Sequence, residues 1–204
     1  MENKKPPYGA NNLTELPLAH YRELFRAADV QEIAARCGLT PEENTFTLTV
    51  CGNEKKITWP DFENEGFRDK DRILFLRYLL EGRAAGTSNV FAAYRNLPNG
   101  DLYNAKFTQR CINRLAGTFG TKPEAFRKGC EALGGKTVKS SGTAYELEFM
   151  PGLSLQFILW EGDDEFPASA QILFSDNFPK AFSGEDRVVV CEYILGLMTM
   201  KAFA

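Results

Sequence analysis

Alternation is strictest over residues 45–50, Thr-Phe-Thr-Leu-Thr-Val, where Phe46, Leu48 and Val50 fall on one face and three threonines on the other. A period of two marks a half-buried β-strand. The polar stretch 51–56 is expected to turn the chain, and Ile57-Thr58-Trp59 to begin the return strand. Upstream, residues 16–38 follow a helical period, with Leu18, Tyr21, Leu24 and Phe25 on one face. They predict two short helices or one bent one. Asp29 followed by Glu32 resembles a capping box, and Gly38 is placed to stop that segment. Downstream, Asp69 is placed to cap a helix over 70–82, closed by Gly82.

Residues 83–104 show no clear period and carry a Pro-Asn-Gly turn signal at 98–100. Helical spacing resumes over 106–120 through Phe107, Cys111, Leu115 and Phe119. Thr121, Pro123 and Glu124 then begin another helix, which stops at Gly134-Gly135. A hairpin follows: a strand over 144–150, a Pro151-Gly152 turn, and a strand over 153–160. One more strand is predicted over 170–174. Ser183-Gly184-Glu185-Asp186 has the form of a helix N-terminus ahead of a final apolar run.

The two halves resemble each other. Asp-Arg-Ile-Leu-Phe-Leu-Arg-Tyr-Leu-Leu at 71–80 parallels Asp-Arg-Val-Val-Val-Cys-Glu-Tyr-Ile-Leu at 186–195, and each follows a strand ending in a tryptophan, Trp59 or Trp160. The second half carries more chain between tryptophan and helix. That insertion is read as an acidic knot, Glu161-Gly162-Asp163-Asp164-Glu165-Phe166-Pro167, plus the strand over 170–174. The predicted class is α+β: two related halves with antiparallel sheet and packed helices, one continuous sheet being a candidate arrangement. The expected organisation is a loose arm over 1–13, then one domain over 14–204 with half-repeats at about 14–105 and 106–204.

Composition narrows the function classes. The chain has 204 residues, 44% hydrophobic, and a net charge of −3. Lys and Arg are dispersed, whereas a nucleic-acid groove needs them clustered; no nucleic-acid partner is expected. No apolar run approaches the ~20 residues of a membrane helix. The start of the chain lacks an apolar signal region. Five cysteines without close spacing, and a single histidine, His20, offer no disulfide framework, zinc ribbon or iron–sulfur motif. A reducing cytoplasm is the expected location.

The glycines form no phosphate-binding loop, and no serine lies in a nucleophile-elbow context. Serine or cysteine catalysis of the usual kind would rest on His20 alone. The residues with candidate chemistry are therefore Glu161, Asp163, Asp164 and Glu165, together with Trp160 beside them, Arg95 on the 94–100 loop, and Tyr103. Crowded carboxylates raise one another's pKa or attract a hard cation. They also suit a solvated turn, with Gly162 supplying the geometry. Trp160 offers large contact area, and Arg95 can clamp a carboxylate or phosphate. No catalytic residue, cofactor or metal ligand is assigned.

The segments Asn89–Gly100, Leu115–Gly120, Cys130–Gly135 and Leu159–Phe174, followed by Glu185–Val190, together resemble DUF3786, a bacterial and archaeal domain family of unknown function. Trp-Glu-Gly-Asp-Asp-Glu-Phe-Pro is the most specific of these marks, and the resemblance runs from about residue 20 onward. It implies an anaerobic source. Some members carry an added cysteine-rich iron–sulfur module, which implies a link to iron–sulfur or corrinoid metabolism; this sequence lacks that module. The expected function is a binding or accessory domain recognising a small ligand, cofactor or protein partner through a cleft near the acidic knot and the 94–103 loop. A carboxylate- and Mg-dependent enzyme and a purely structural module are the alternatives.

Overall fold

The computed structural model describes residues 15–64 and 67–204; the arm expected over 1–13 lies outside them. The chain forms two compact units, one of residues up to Leu48 with Lys55–Ala84, the other of Thr49–Glu54 with Ala85–Ala204. Residues 85–105, counted above with the first half, thus group with the second unit.

In the first unit, residues 15–38 form two helices, α1 (Glu15–Ala27) and α2 (Val30–Cys37). The break is enforced by Asp29, whose carboxylate accepts from the Gln31 and Glu32 N–H groups, and Gly38 ends α2 at φ 64°. Strands β1 (Thr45–Val50) and β2 (Asn53–Thr58) form the hairpin, whose tip, Thr49–Glu54, groups with the second unit, and Phe46, Leu48 and Val50 are all buried as the alternation requires. The return strand starts at Asn53 rather than Ile57. Only Cys51 and Gly52 turn the chain, both at positive φ (47° and 72°), the geometry that matches strand twist in a two-residue hairpin.

A third strand, β3 (Glu63–Asn64), pairs antiparallel with β2, and α3 (Asp69–Glu81) closes the unit with Arg68, not Asp69, at the cap position. The first half therefore does have a third strand, in two-residue form. Such a strand is too short for alternation to betray it, so the feature peculiar to the second half reduces to the loop over 161–168 and a longer strand. Phe25, Phe46 and Phe62 form the aromatic centre of this core, with Phe62 edge-on to Phe25 at 5.7 Å.

The second unit is built on a five-stranded antiparallel sheet of order β4-β8-β7-β6-β5: β4 (Phe91–Ala93), β5 (Lys136–Thr137), β6 (Thr143–Met150), β7 (Leu153–Trp160) and β8 (Ser169–Ser175). The described residues thus form two sheets, of three and five strands, rather than one continuous sheet. Leu147 and Phe149 of β6, Leu155 and Phe157 of β7 and Ile172 and Phe174 of β8 are buried. Helices α6 (Pro123–Glu131) and α8 (Gly184–Ala202) pack on each other. Their approach is close at Gly129, where an added Cβ would lie 2.8 Å from the Met198 carbonyl oxygen.

The stretch 100–119 is one long helical run in three parts: α4 (Gly100–Phe107), a π-helical turn (Thr108–Ile112) and α5 (Asn113–Phe119). Phe107, Cys111, Leu115 and Phe119 are all buried. Four-residue spacing repeated three times drifts about 120° around a regular α-helix. One residue taken up by the π turn removes about 100° of that drift, which keeps all four side chains on one face. A short helix, α7 (Phe178–Ala181), precedes α8, whose N-cap is Ser183 as its sequence predicts. The two halves share an order of helix, hairpin, third antiparallel strand and helix: α2-β1-β2-β3-α3 in one, α6-β6-β7-β8-α8 in the other, the latter with the short β5 after α6 and the short α7 before α8.

Candidate functional site

The predicted site residues do not share one cleft. Arg95 lines one concavity, Asp163 and Asp164 line another, and the two linings have no residue in common.

The acidic loop is organised by one of its own carboxylates. Asp163 Oδ1 accepts from the N–H groups of Glu165 at 2.9 Å and Phe166 at 2.7 Å, while its own N–H donates to the Phe166 carbonyl at 2.9 Å. The two N–H groups on the carboxylate, that of Phe166 foremost and then that of Glu165, favour the ionised form and lower the Asp163 pKa. Asp163 is thus the side chain that closes the turn. Glu161 points away toward Arg127, 3.9 Å distant, and Arg127 also pairs with Glu124 at 2.9 Å. Trp160 donates its indole N–H to Ser141 Oγ at 3.0 Å. Asp164 and Glu165 are exposed, as is Phe166 at 67%. With Asn113, Ala116, Gly117, Gly120 and Thr121, the loop borders an open groove of about 660 Å³. Among the described residues, no group of three or more His, Cys, Asp or Glu side chains is placed to hold a metal ion.

Arg95 lies in a different setting. β4 ends at Ala93, and the chain enters a 3₁₀ turn, Tyr94–Asn96. Tyr94 is buried, its ring stacked on Phe107 at 4.2 Å with the planes 9° apart, and its hydroxyl donates to the Gly184 carbonyl at 2.7 Å. Burial pushes its pKa up to about 12, so it remains a neutral donor. The Arg187 guanidinium lies 5.5 Å from the centre of the same ring and donates to the Pro98 carbonyl. Arg187 is 1% exposed, and desolvation lowers its pKa. The turn is therefore tied to the first residues of α8 at Tyr94 and at Pro98. Gly100 completes it: an added Cβ would sit 2.1 Å from the Tyr94 carbonyl oxygen.

On this pinned turn, Arg95 is exposed, and among the described residues it has no hydrogen-bond or ion-pair partner. It stands at a cavity of about 300 Å³, lined also by Ala93, Tyr94, Asn104, Phe107, Thr108, Ile112 and Gln171. Thr108 and Ile112 are the first and last residues of the π turn, a feature frequent at functional sites. The side chains of Asn104, Thr108 and Gln171 likewise have no partner among the described residues. Tyr103 is near in sequence but turns away, its ring 3.0 Å from where a Cβ on Gly184 would lie, with the Lys106 ammonium 5.8 Å from its centre.

Sequence reasoning thus found Arg95 and missed Asn104, Thr108 and Gln171. Gln171 carried a signal: it is the polar residue inside the apolar run Ala170–Phe174. The four-residue spacing through Phe107 was the trace of the π turn that presents Thr108.

No curated protein and no solved structure matches the chain. The model of DUF3786, a domain of unknown function, matches residues 29–196, which cover most of each unit but not α1 or the last turn of α8, and include the acidic loop and the described lining of the Arg95 cavity. The chain belongs to the DUF3786 family.

Proposed function

We propose that the protein is a binding domain for a small ligand, seated in the cavity between the 3₁₀ turn, the π turn and β8. Arg95 carries this reading. A cation without a partner among the described residues, displayed on a turn fixed at Tyr94 and Pro98, is a group preorganised for a ligand. Three neutral polar side chains, also without a partner among the described residues, line the same cavity beside the apolar Phe107, Ile112 and Ala93. Polar groups converging on one concave site are the usual sign of a ligand site.

The test is a thermal-shift screen of small metabolites against the protein and Asn104→Trp, which fills the cavity from the surface of α4. Ligands that raise the melting temperature of the first and not of the second support the site; hits equally effective on both contradict it.

A second reading, recognition of a basic protein segment by the acidic loop, is favoured by exposed Phe166 beside Asp164 and Glu165. A partner retained by Phe166→Ala with Asp164→Asn and Glu165→Gln would count against it. The reading includes a reducing compartment such as the cytoplasm, supported by five free buried thiols, and descent of the two halves from one duplicated unit, supported by their shared element order.

A further inference from the structure

We propose that the ligand of the Arg95 cavity is a small carboxylic acid with a single negative charge, its carboxylate on Arg95 and an amide or hydroxyl group in its body. This rests on the binding reading above and names the chemistry of the ligand.

Charge limits the class first. Among the described residues, the lining holds one exposed cation, Arg95, and no Asp or Glu. One negative charge is matched there, whereas a dicarboxylate or a phosphate monoester, at about −1.5 to −2, brings more than the site balances. The planar guanidinium fork fits a carboxylate through two parallel hydrogen bonds, and its turn is already held in place.

The interior limits it next. Asn104 and Gln171 each offer an amide donor and acceptor, and Thr108 a hydroxyl that does either. An amide or hydroxyl on the ligand satisfies these groups, while a hydrocarbon body would cover them without a partner. Beside Gln171 the sheet also has an open margin. β4 stops at Ala93, opposite Leu173, while β8 continues to Ser169. Over Ser169–Gln171 no strand lies alongside β8 on the β4 side among the described residues. A ligand amide can bond there as a neighbouring strand would. The volume, about 300 Å³, is at the low end for ligand cavities and suits one small molecule rather than a dinucleotide.

Isothermal titration of the full chain with N-acetyl-L-alanine, its neutral amide, succinate and inorganic phosphate tests this. N-acetyl-L-alanine is expected to bind at least about tenfold more tightly than each of the other three, the scale of one charge-assisted hydrogen bond. Arg95→Gln is expected to weaken the acid by about tenfold or more and to abolish the preference for acid over amide, with Arg95→Lys in between. Arg95 is exposed and makes no intramolecular bond among the described residues, so these variants keep the fold; circular dichroism checks it. Asp164→Asn, outside this cavity, leaves binding unchanged. If amide, succinate or phosphate binds as tightly as the acid, or Arg95→Gln changes nothing, while Asn104→Trp still abolishes binding, the ligand class is overturned and the site stands. If none of the four binds, or Asn104→Trp has no effect, the proposal fails, the latter result taking the site with it.

Discussion

Replacing Gly129 by alanine tests the packing of α6 on α8 directly. Alanine is the better helix former by about 1 kcal/mol, and in open surroundings that gain appears as stability. At Gly129 the added Cβ would stand 2.8 Å from both the Met198 carbonyl oxygen and its Cγ, and 3.3 Å from the Ala202 Cβ. The carbonyl belongs to the helix backbone and cannot swing aside, so α8 has to move by a few tenths of an ångström. Overpacking of this kind costs about 1–3 kcal/mol. Set against the helix gain, the net runs from about zero to a loss of about 2 kcal/mol, centred near a loss of about 1. Gly117 in α5 is the matched control: it is exposed, and nothing lies within 4 Å of its added Cβ. Gly117→Ala is expected to stabilise by about 0.5–1 kcal/mol. Urea unfolding of both variants reads the difference, and each 1 kcal/mol moves the melting temperature by about 2–4 °C for a chain of this size. Equal stabilisation of both variants would refute the close α6–α8 approach.

Three further outcomes follow from the same geometry. Asp29→Ala removes the acceptor for two N–H groups at the start of α2 and is expected to cost about 1 kcal/mol in urea unfolding. Asp163 has a lowered pKa, so its contribution to the loop is present at neutral pH and is lost as pH falls through that lowered value; a carboxyl NMR titration should place it below ordinary aspartate, and a value at or above it would refute the turn bonding. The cysteines are buried, and burial raises the thiol pKa of Cys51 to about 12 and raises those of Cys37, Cys130 and Cys191 as well. An aromatic disulfide reagent at pH 8 should label none of the five thiols in the folded protein and all of them in denaturant; fast labelling of the folded form would contradict that burial.

Where side chains obey one period, the sequence displayed the structure. The 45–50 strand, the 144–160 hairpin and the capped starts of α2 and α8 rest on local chemistry and appear as read. Non-local features did not show. β3 exists because β2 offers it an edge, and two residues leave no pattern of their own. The two-residue turn at Cys51-Gly52 lacks the usual Asn-Gly or Asp-Gly signature, so a longer loop was expected. The acidic knot drew attention by composition, yet Asp163 is used to close its turn and Glu161 faces Arg127. Arg95 was legible only as a lone arginine on a loop. What distinguishes it, a turn anchored by Tyr94 and Arg187 from far along the chain, is set by tertiary contacts. Asn104, Thr108 and Gln171 come together only once the π turn and β8 are in place.

The measurement that bears most directly on the central claim is amide NMR mapping of a fragment library on the isotope-labelled full chain. Binding in the Arg95 cavity predicts that hits shift the amides of Ala93, Arg95, Asn104, Thr108, Ile112 and Gln171 as one set, while Glu161–Ala168 stay still. Hits that cluster on the acidic loop instead, or that leave the cavity set unmoved, would contradict it.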